Sequence, residues 1–411
     1  MSGTLVVGAS QAGVQLAASL RELGDPDAIT LVGAEAHPPY QRPPLSKEFL
    51  TGASPREALA FRTPAWYSDV RVELVCGERV VAVERDGGGG GTARTSGGRD
   101  LAFDRLALTV GARPRRLAVP GADLGGVLYL RDVDDAEQLQ VRLAASHRVV
   151  VVGGGFIGLE AAAVARAQGR QVTVVETADR LVARAVARVV SDFYRRAHER
   201  RGTRVLLQTA VTGFRGGGGA VSAVVLDDGR ELPADLVVVG VGVVPRTELA
   251  EQLGLHCEGG IVVDERARTS DPTVVAAGDC TVLPHPLTGV GRVRLESVQS
   301  AVAQAGIAAA TLLGRDVDSR NVPWFWSNQG DLKLQIAGLS AGHDRVVVRG
   351  EPDSERFSVL YYRQDALLAV DAVNNPLDYM VVRKALATGA SIPADAAEDV
   401  GTPLKEMVVA A

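Results

Sequence analysis

Leu5-Val6-Val7-Gly8-Ala9-Ser10-Gln11-Ala12-Gly13 decides the fold, because the chain repeats it. Val150-Val151-Val152-Gly153-Gly154-Gly155-Phe156-Ile157-Gly158 has the same order: an apolar run, a turn of small residues, then an alanine-rich segment. The segments 12–23 and 156–168 predict helices, and Gly24 and Gly169 close them where a left-handed cap is cheapest. A second apolar run follows in each copy and leads to a carboxylate, Glu35 in the first and Glu176 in the second. These lie 22 and 18 residues beyond the last glycine of their loops, near the ~20 expected of a strand–loop–helix–strand unit that binds a dinucleotide.

Each position in such a unit has a physical task. The first glycine permits the tight turn, the second lets a pyrophosphate approach the backbone, and the third lets helix pack on strand. The helix N-terminus offers N–H groups and a positive dipole end to the phosphates, and the carboxylate accepts from ribose hydroxyls. Candidate ligands are therefore Gly8, Ser10, Gln11, Ala12, Gly13 and Glu35 in the first copy. In the second they are Gly153, Gly155, Phe156, Ile157, Gly158 and Glu176. Ser10 stands where a second glycine is expected, but it is small enough to be tolerated. One such loop is an ordinary glycine turn; two complete units in register are not. Two dinucleotide sites call for two dinucleotides, and FAD with a nicotinamide nucleotide is the natural pair. Glu176 welcomes a ribose 2′-hydroxyl and repels a 2′-phosphate, favouring NADH. Arg180 and Arg184 either soften that preference or form a solvated helix face.

Bulk properties exclude much else. At 411 residues the chain suits two to three domains. A net charge of −5 asks for neither nucleic acid nor an anionic membrane. The first apolar strand starts too early for a signal peptide, and no run approaches the ~20 apolar residues of a membrane helix. A cytoplasmic enzyme is the expectation. Cys76, Cys257 and Cys280 are the only cysteines and are widely separated, which argues against a disulfide scaffold, a metal site and a dithiol centre. Lysines are rare: Lys47, Lys333, Lys384 and Lys405 among 44 basic residues.

Several further motifs carry a resemblance: residues 39–47 (Pro-Tyr-Gln-Arg-Pro-Pro-Leu-Ser-Lys), 109–114 (Thr-Val-Gly-Ala-Arg-Pro), 153–160, 276–279 (Ala-Ala-Gly-Asp) and 322–329 (Val-Pro-Trp-Phe-Trp-Ser-Asn-Gln). Together they resemble the FAD-dependent ferredoxin reductases of the glutathione-reductase structural class, which serve bacterial cytochromes P450 and ring-hydroxylating dioxygenases. The run ending in Lys47 and the Trp-Phe-Trp-Ser run are the specific ones. Asn328 stands where that family usually has aspartate, and Gly330 where an aromatic is common.

The resemblance implies an α/β architecture of two Rossmann-like dinucleotide-binding domains with a smaller α+β C-terminal domain. The FAD domain would be split (1–112 and 246–320), the NADH domain inserted (113–245), and the C-terminal domain would cover 321–411. The polyglycine stretches 87–91 and 216–219 read as hairpin tips or mobile loops.

It further implies FAD ligands at Arg42, Lys47, Val80, Thr109, Gly111, Arg131, Gly278, Asp279, Val298 and Trp326, and NADH contacts at Glu160, Arg184 and Gly242. Lys47 is placed beside flavin N5 with Glu160 against it; a structural salt bridge between domains is the bland alternative. Glu160 is expected in the first turn of its helix, facing a gap between domains. The alanine-rich stretch 297–313 predicts a helix aimed at the flavin. Trp326 is expected at the flavin edge. With no thiol near residue 47, electrons are expected to leave singly to a [2Fe–2S] ferredoxin, through a basic rim drawn from Arg113, Arg115, Arg116, Lys333, Arg383 and Lys384. The same residues also suit a rubredoxin reductase, a thiol-free NADH oxidase or quinone reductase, and an apoptosis-inducing-factor-like NADH sensor. No metal is expected, and the chain is expected to be a monomer or weak homodimer.

Overall fold

The computed structural model describes residues 3–86, 88–316 and 321–410. Gly87 and residues 317–320, where a polyglycine stretch and the expected boundary of the FAD domain fall, lie outside that set. The chain forms two compact units, each built around one copy of the repeated motif.

The first unit comprises Met1–Gln41, Arg56–Arg113 and Val244–Pro323. Its sheet has the strand order Val274–Ala276, Arg105–Leu108, Thr4–Val7, Ile29–Val32, Val72–Val75, with every neighbour parallel. A parallel sheet is covered on both faces, so its strands read as unbroken apolar runs. Leu5, Val6 and Val7 are accordingly all in the core. The helix Gln11–Glu22 packs against the helix Val298–Leu312. Alanines at the contact (Ala12, Ala17, Ala301, Ala305, Ala308) let the two backbones approach closely. Gly24 closes the first helix in the left-handed region, with Asp25 N–H bonded to Leu20 O as the predicted cap requires.

The second unit comprises Arg42–Pro55, Pro114–Val243 and Trp324–Ala411. Its parallel sheet has the order Arg204–Leu206, Gln171–Val175, Arg148–Val152, Leu236–Val239, Val127–Tyr129. In both units the glycine-bearing strand is central, with the carboxylate-bearing strand on one side and a strand from later in the chain on the other. Strand order reverses there, which opens a crevice at the carboxyl ends. The chain is thus an α/β protein with two doubly wound sheets.

An antiparallel C-terminal sheet completes the second unit, in the order Trp324–Gln329, Leu332–Gly338, Ala366–Val373, Arg356–Arg363, Arg345–Glu351. The helix Pro376–Thr388 lies on it. One apolar core runs from this sheet to the helices of the parallel sheet, joining Phe357 and Tyr361 to Phe193 and Tyr194. The rings of Phe193 and Phe357 meet edge-on at 5.0 Å.

The helices expected at 12–23, 156–168 and 297–313 occur as Gln11–Glu22, Phe156–Ala167 and Val298–Leu312. In the stretch 216–219, Gly218 and Gly219 form the hairpin tip between strands Val211–Gly217 and Ala220–Leu226, and Gly216 and Gly217 end the first strand.

Candidate active site

The two glycine turns are built alike. Gly13 and Gly158 face the first glycine of their loops so closely that an added Cβ would lie 2.0 Å from Gly8 O and 2.2 Å from Gly153 O. These two glycines are required by helix–strand packing. Gly155 is different. It caps the helix Phe156–Ala167 at φ −81, which any residue adopts, and a Cβ there would meet nothing within 4 Å. Nothing inside the protein requires glycine at 155, whereas a pyrophosphate lying on the backbone does. Ser10 caps the first helix without using its side chain to do so. The first helical donors are Val14 N–H to Ser10 O and Leu159 N–H to Gly155 O. The N–H groups of residues 11–13 and 156–158 precede them, as helix geometry demands. Both loops therefore fit a phosphate-bearing dinucleotide.

Thr109 follows the strand Arg105–Leu108 and donates to Val7 O and Gly8 O at 3.1 and 2.9 Å, so its hydroxyl braces the first loop. Glu35 accepts from the hydroxyl of Tyr40. Gly278 and Asp279 follow the strand Val274–Ala276, and Gly278 N–H is held by the buried Gln304 at 3.1 Å. Gln304 is a supporting residue the sequence did not reveal, since a glutamine in an alanine-rich helix carries no motif. Val80 is buried in the core of the first unit, and Gly111 adopts φ +65. Val298 opens the helix Val298–Leu312, capped by Ser297.

In the second unit Glu176 closes on its own loop. One oxygen accepts from Gly154 N–H at 2.6 Å, the other from Ala178 N–H at 2.8 Å. Arg180 is not on a helix, and the helix-face reading is corrected here. It lies in turns ahead of the helix Arg188–Arg200 and donates to Val186 O and Ala183 O, each at 2.6 Å, so it is not free for a 2′-phosphate. Arg184 is exposed, near Gly242, which adopts φ +92.

Glu160 lies one turn further into its helix than expected and is buried, with 1% of its side chain exposed. Its Oε2 accepts from Lys47 Nζ at 2.7 Å and Ser46 Oγ at 2.5 Å; its Oε1 accepts from Ser327 Oγ at 2.7 Å. Lys47 Nζ also donates to Pro43 O at 3.0 Å. The proline-pinned turn Pro43–Ser46 delivers both donors from one side. The strand Trp324–Gln329 delivers the third from the other. Its alternation puts Phe325 on Phe156 (4.7 Å between rings) and Ser327 on Glu160, while Trp324 and Trp326 pair on the opposite face at 5.4 Å. Arg42 donates to Arg131 O at 2.6 Å, which ties the same turn to the start of the helix Val133–Ala145.

Sequence reasoning named Lys47 and Glu160 but missed Ser46 and Ser327. Both stood inside quoted motifs, but nothing local shows that the turn Pro43–Ser46 and one face of the strand Trp324–Gln329 converge on the same carboxylate. The residues assigned to FAD fall on both units, with Arg42, Lys47, Arg131 and Trp326 on the second. Of the expected basic rim, Arg113 pairs with Glu248 at 3.6 Å, Arg116 covers the Tyr129 ring at 4.7 Å and Arg383 covers the Trp324 ring at 4.8 Å.

Residues 3–305 match the family model of the pyridine nucleotide-disulphide oxidoreductases, and residues 324–408 match that of the reductase C-terminal domain. The chain belongs to the pyridine nucleotide-disulphide oxidoreductase family. It is an oxidoreductase, and its cofactors are FAD and NAD(P)H. It is 46% identical over 401 residues to rhodocoxin reductase of Rhodococcus erythropolis, covering 98% of this chain and 93% of that one. The ferredoxin reductase for the CYP199A2 system from Rhodopseudomonas palustris superposes with a TM-score of 0.95 at 42% identity, over 99% of both chains. The reductase of the covalent putidaredoxin reductase–putidaredoxin complex gives 0.94 at 40%, over 99% of this chain and 98% of that one.

The dithiol of the family name has no counterpart here. Cys76, Cys257 and Cys280 are free, and burial pushes all three thiols up, Cys280 to about 12. None is a ready nucleophile. Among the described residues no cluster suits a metal ion and no helix is long and apolar enough to cross a membrane.

Proposed function

We propose that this chain oxidises NADH through FAD and passes the electrons singly to a [2Fe–2S] ferredoxin that serves a cytochrome P450 or a ring-hydroxylating oxygenase. The observation that carries this reading is the buried Lys47–Glu160 pair, its carboxylate on the nicotinamide-type helix, in an enzyme whose three cysteines are free and separate, with their thiols pushed up by burial. The relatives named above as rhodocoxin reductase, ferredoxin reductase and a putidaredoxin complex supply the acceptor class.

Bound FAD supplies the chemistry of taking two electrons together and releasing them one at a time. The protein binds, orients and excludes water. In this proposal the N–H groups of residues 11–13 and 156–158 hold the two pyrophosphates, with Arg42 adding charge to the flavin side. Glu35 and Glu176 take the riboses, and Asp279 the ribityl chain. Glu176, with Arg180 turned away, selects NADH. Lys47 holds a fixed positive charge at the flavin, and Glu160 keeps that ammonium in place. Isolated burial of either charge would be costly, and removing one partner of such a pair costs about 3–5 kcal/mol. Trp326 covers the flavin edge. The FAD domain (1–112 and 246–320), the NADH domain (113–245), the C-terminal domain (321–411) and a cytoplasmic location belong to the same proposal.

Cytochrome c reduction by NADH, with and without a panel of [2Fe–2S] ferredoxins and a rubredoxin, tests it. Stimulation by a ferredoxin and weak activity with NADPH are expected. Stimulation by rubredoxin alone, or by no protein acceptor, would reject the ferredoxin assignment.

A further inference from the structure

The Lys47–Glu160 pair does not end at Glu160. Ser327 Oγ donates to Glu160 Oε1 at 2.7 Å and accepts from Gln329 Nε2 at 3.3 Å; Gln329 Oε1 lies 2.8 Å from His198 Nε2. Ser327, Gln329 and His198 are all buried. An amide oxygen only accepts, so the His198 proton is assigned to Nε2. Burial pushes the imidazole below its ordinary value, so the ring is neutral. Every donor then runs the same way, from His198 through Gln329 and Ser327 to the carboxylate. Such a chain polarises along its length and holds each member in one rotamer.

Three elements meet in it. His198 stands on the helix Arg188–Arg200, Gln329 and Ser327 on the strand Trp324–Gln329, and Glu160 on the helix Phe156–Ala167. Gln329 and Ser327 share one face of that strand, so a buried polar row replaces the apolar row that packing alone would select. A buried serine and a buried glutamine, the latter paired across the sheet with Leu332, add no apolar packing. They are explained by the carboxylate they serve.

We propose that Ser327 is a positioning residue. It fixes the Glu160 carboxylate, and through it the Lys47 ammonium, while Gln329 and His198 hold its hydroxyl in the donating orientation. This rests on the proposed NADH-oxidising reading for its kinetic consequence, but the arrangement itself is a property of the folded chain.

Two measurements on the full-length protein test it. The first is a double-mutant cycle on thermal unfolding of the FAD-loaded protein with Ser327→Ala, Glu160→Gln and the pair. Coupled residues give non-additive shifts, here of about 2 °C; strict additivity overturns the proposal. The second is anaerobic single-turnover flavin reduction by NADH in the FAD-loaded enzyme. S327A is expected to lower the limiting rate about tenfold, the equivalent of one hydrogen bond to a charged group, with the NADH dissociation constant unchanged. S327T, which keeps the hydroxyl, is expected to restore most of the rate. Equal losses in S327A and S327T, or a change in NADH affinity alone, would show packing and not positioning. If the parent protein takes no hydride, the functional reading fails while the unfolding cycle still decides the arrangement.

Discussion

Lys47 Nζ and Glu160 Oε2 lie 2.7 Å apart although 113 residues separate them in sequence, and only 11% and 1% of their side chains are exposed. The pair is held by two independent supports, the turn Pro43–Ser46 and the strand Trp324–Gln329, so its geometry is fixed before any ligand arrives. Preorganised charge of this kind acts at the moment of reaction without reorganisation cost.

Removing the carboxylate should therefore change rate more than binding. Glu160→Ala is expected to slow flavin reduction by NADH about 10- to 100-fold, with FAD content unchanged by absorbance. Normal single-turnover reduction in this variant would leave the pair a purely structural bridge.

The two glycines of the second loop should separate cleanly. Gly155→Ala is expected to leave the melting temperature unchanged, because its Cβ meets nothing, while weakening NADH about tenfold, ~1.4 kcal/mol. Gly158→Ala places a Cβ 2.2 Å from Gly153 O and is expected to destabilise the fold by about 1–3 kcal/mol. Calorimetry with NADH titration reads both, and equal behaviour of the two variants would contradict the site.

Glu176→Ala is expected to reduce the preference for NADH over NADPH about tenfold, chiefly by weakening NADH, because Arg180 is tied to Val186 O and Ala183 O. Steady-state kcat/KM with both nucleotides measures it. A large gain in NADPH turnover would mean that an arginine swings in.

Asp371 gives a pH signature in stability. It is fully buried, and burial pushes its carboxyl up to about 7 against the hydrogen bond from Tyr361, which lowers it. An unfolded aspartate loses its proton near ~4. Between about 4 and 7 the native state thus holds a proton the unfolded state lacks, and stability falls as pH rises through that window. Asp371→Asn removes this titration. The melting temperatures at pH 5 and pH 8 should lie closer together in the variant than in the parent, and an unchanged difference would show that Asp371 titrates normally.

Both parallel sheets were legible because their signals are local. Apolar runs, a glycine turn and a carboxylate near twenty residues on follow from covalent geometry and burial of the strands on both faces. Glu160 and Lys47 were legible through motif resemblance alone, since nothing in spacing brings residues 47 and 160 together. Ser327, Gln329 and His198 were not legible. Their roles depend on which face of an antiparallel strand turns inward, which is settled by Phe325 packing on Phe156. Arg180 was misplaced because a charged residue after a strand looks like a solvated helix start. Its guanidinium instead satisfies the carbonyls of an irregular turn.

The proposed route carries electrons from NADH through FAD to a ferredoxin with no thiol on the way. The decisive measurement is anaerobic stopped-flow mixing of NADH and a [2Fe–2S] ferredoxin with the FAD-loaded variant that carries Cys76→Ser, Cys257→Ser and Cys280→Ala together. Full-rate flavin reduction and about two ferredoxins reduced per NADH are expected. Loss of ferredoxin reduction in that variant, with flavin content and melting temperature unchanged, would overturn the thiol-free route.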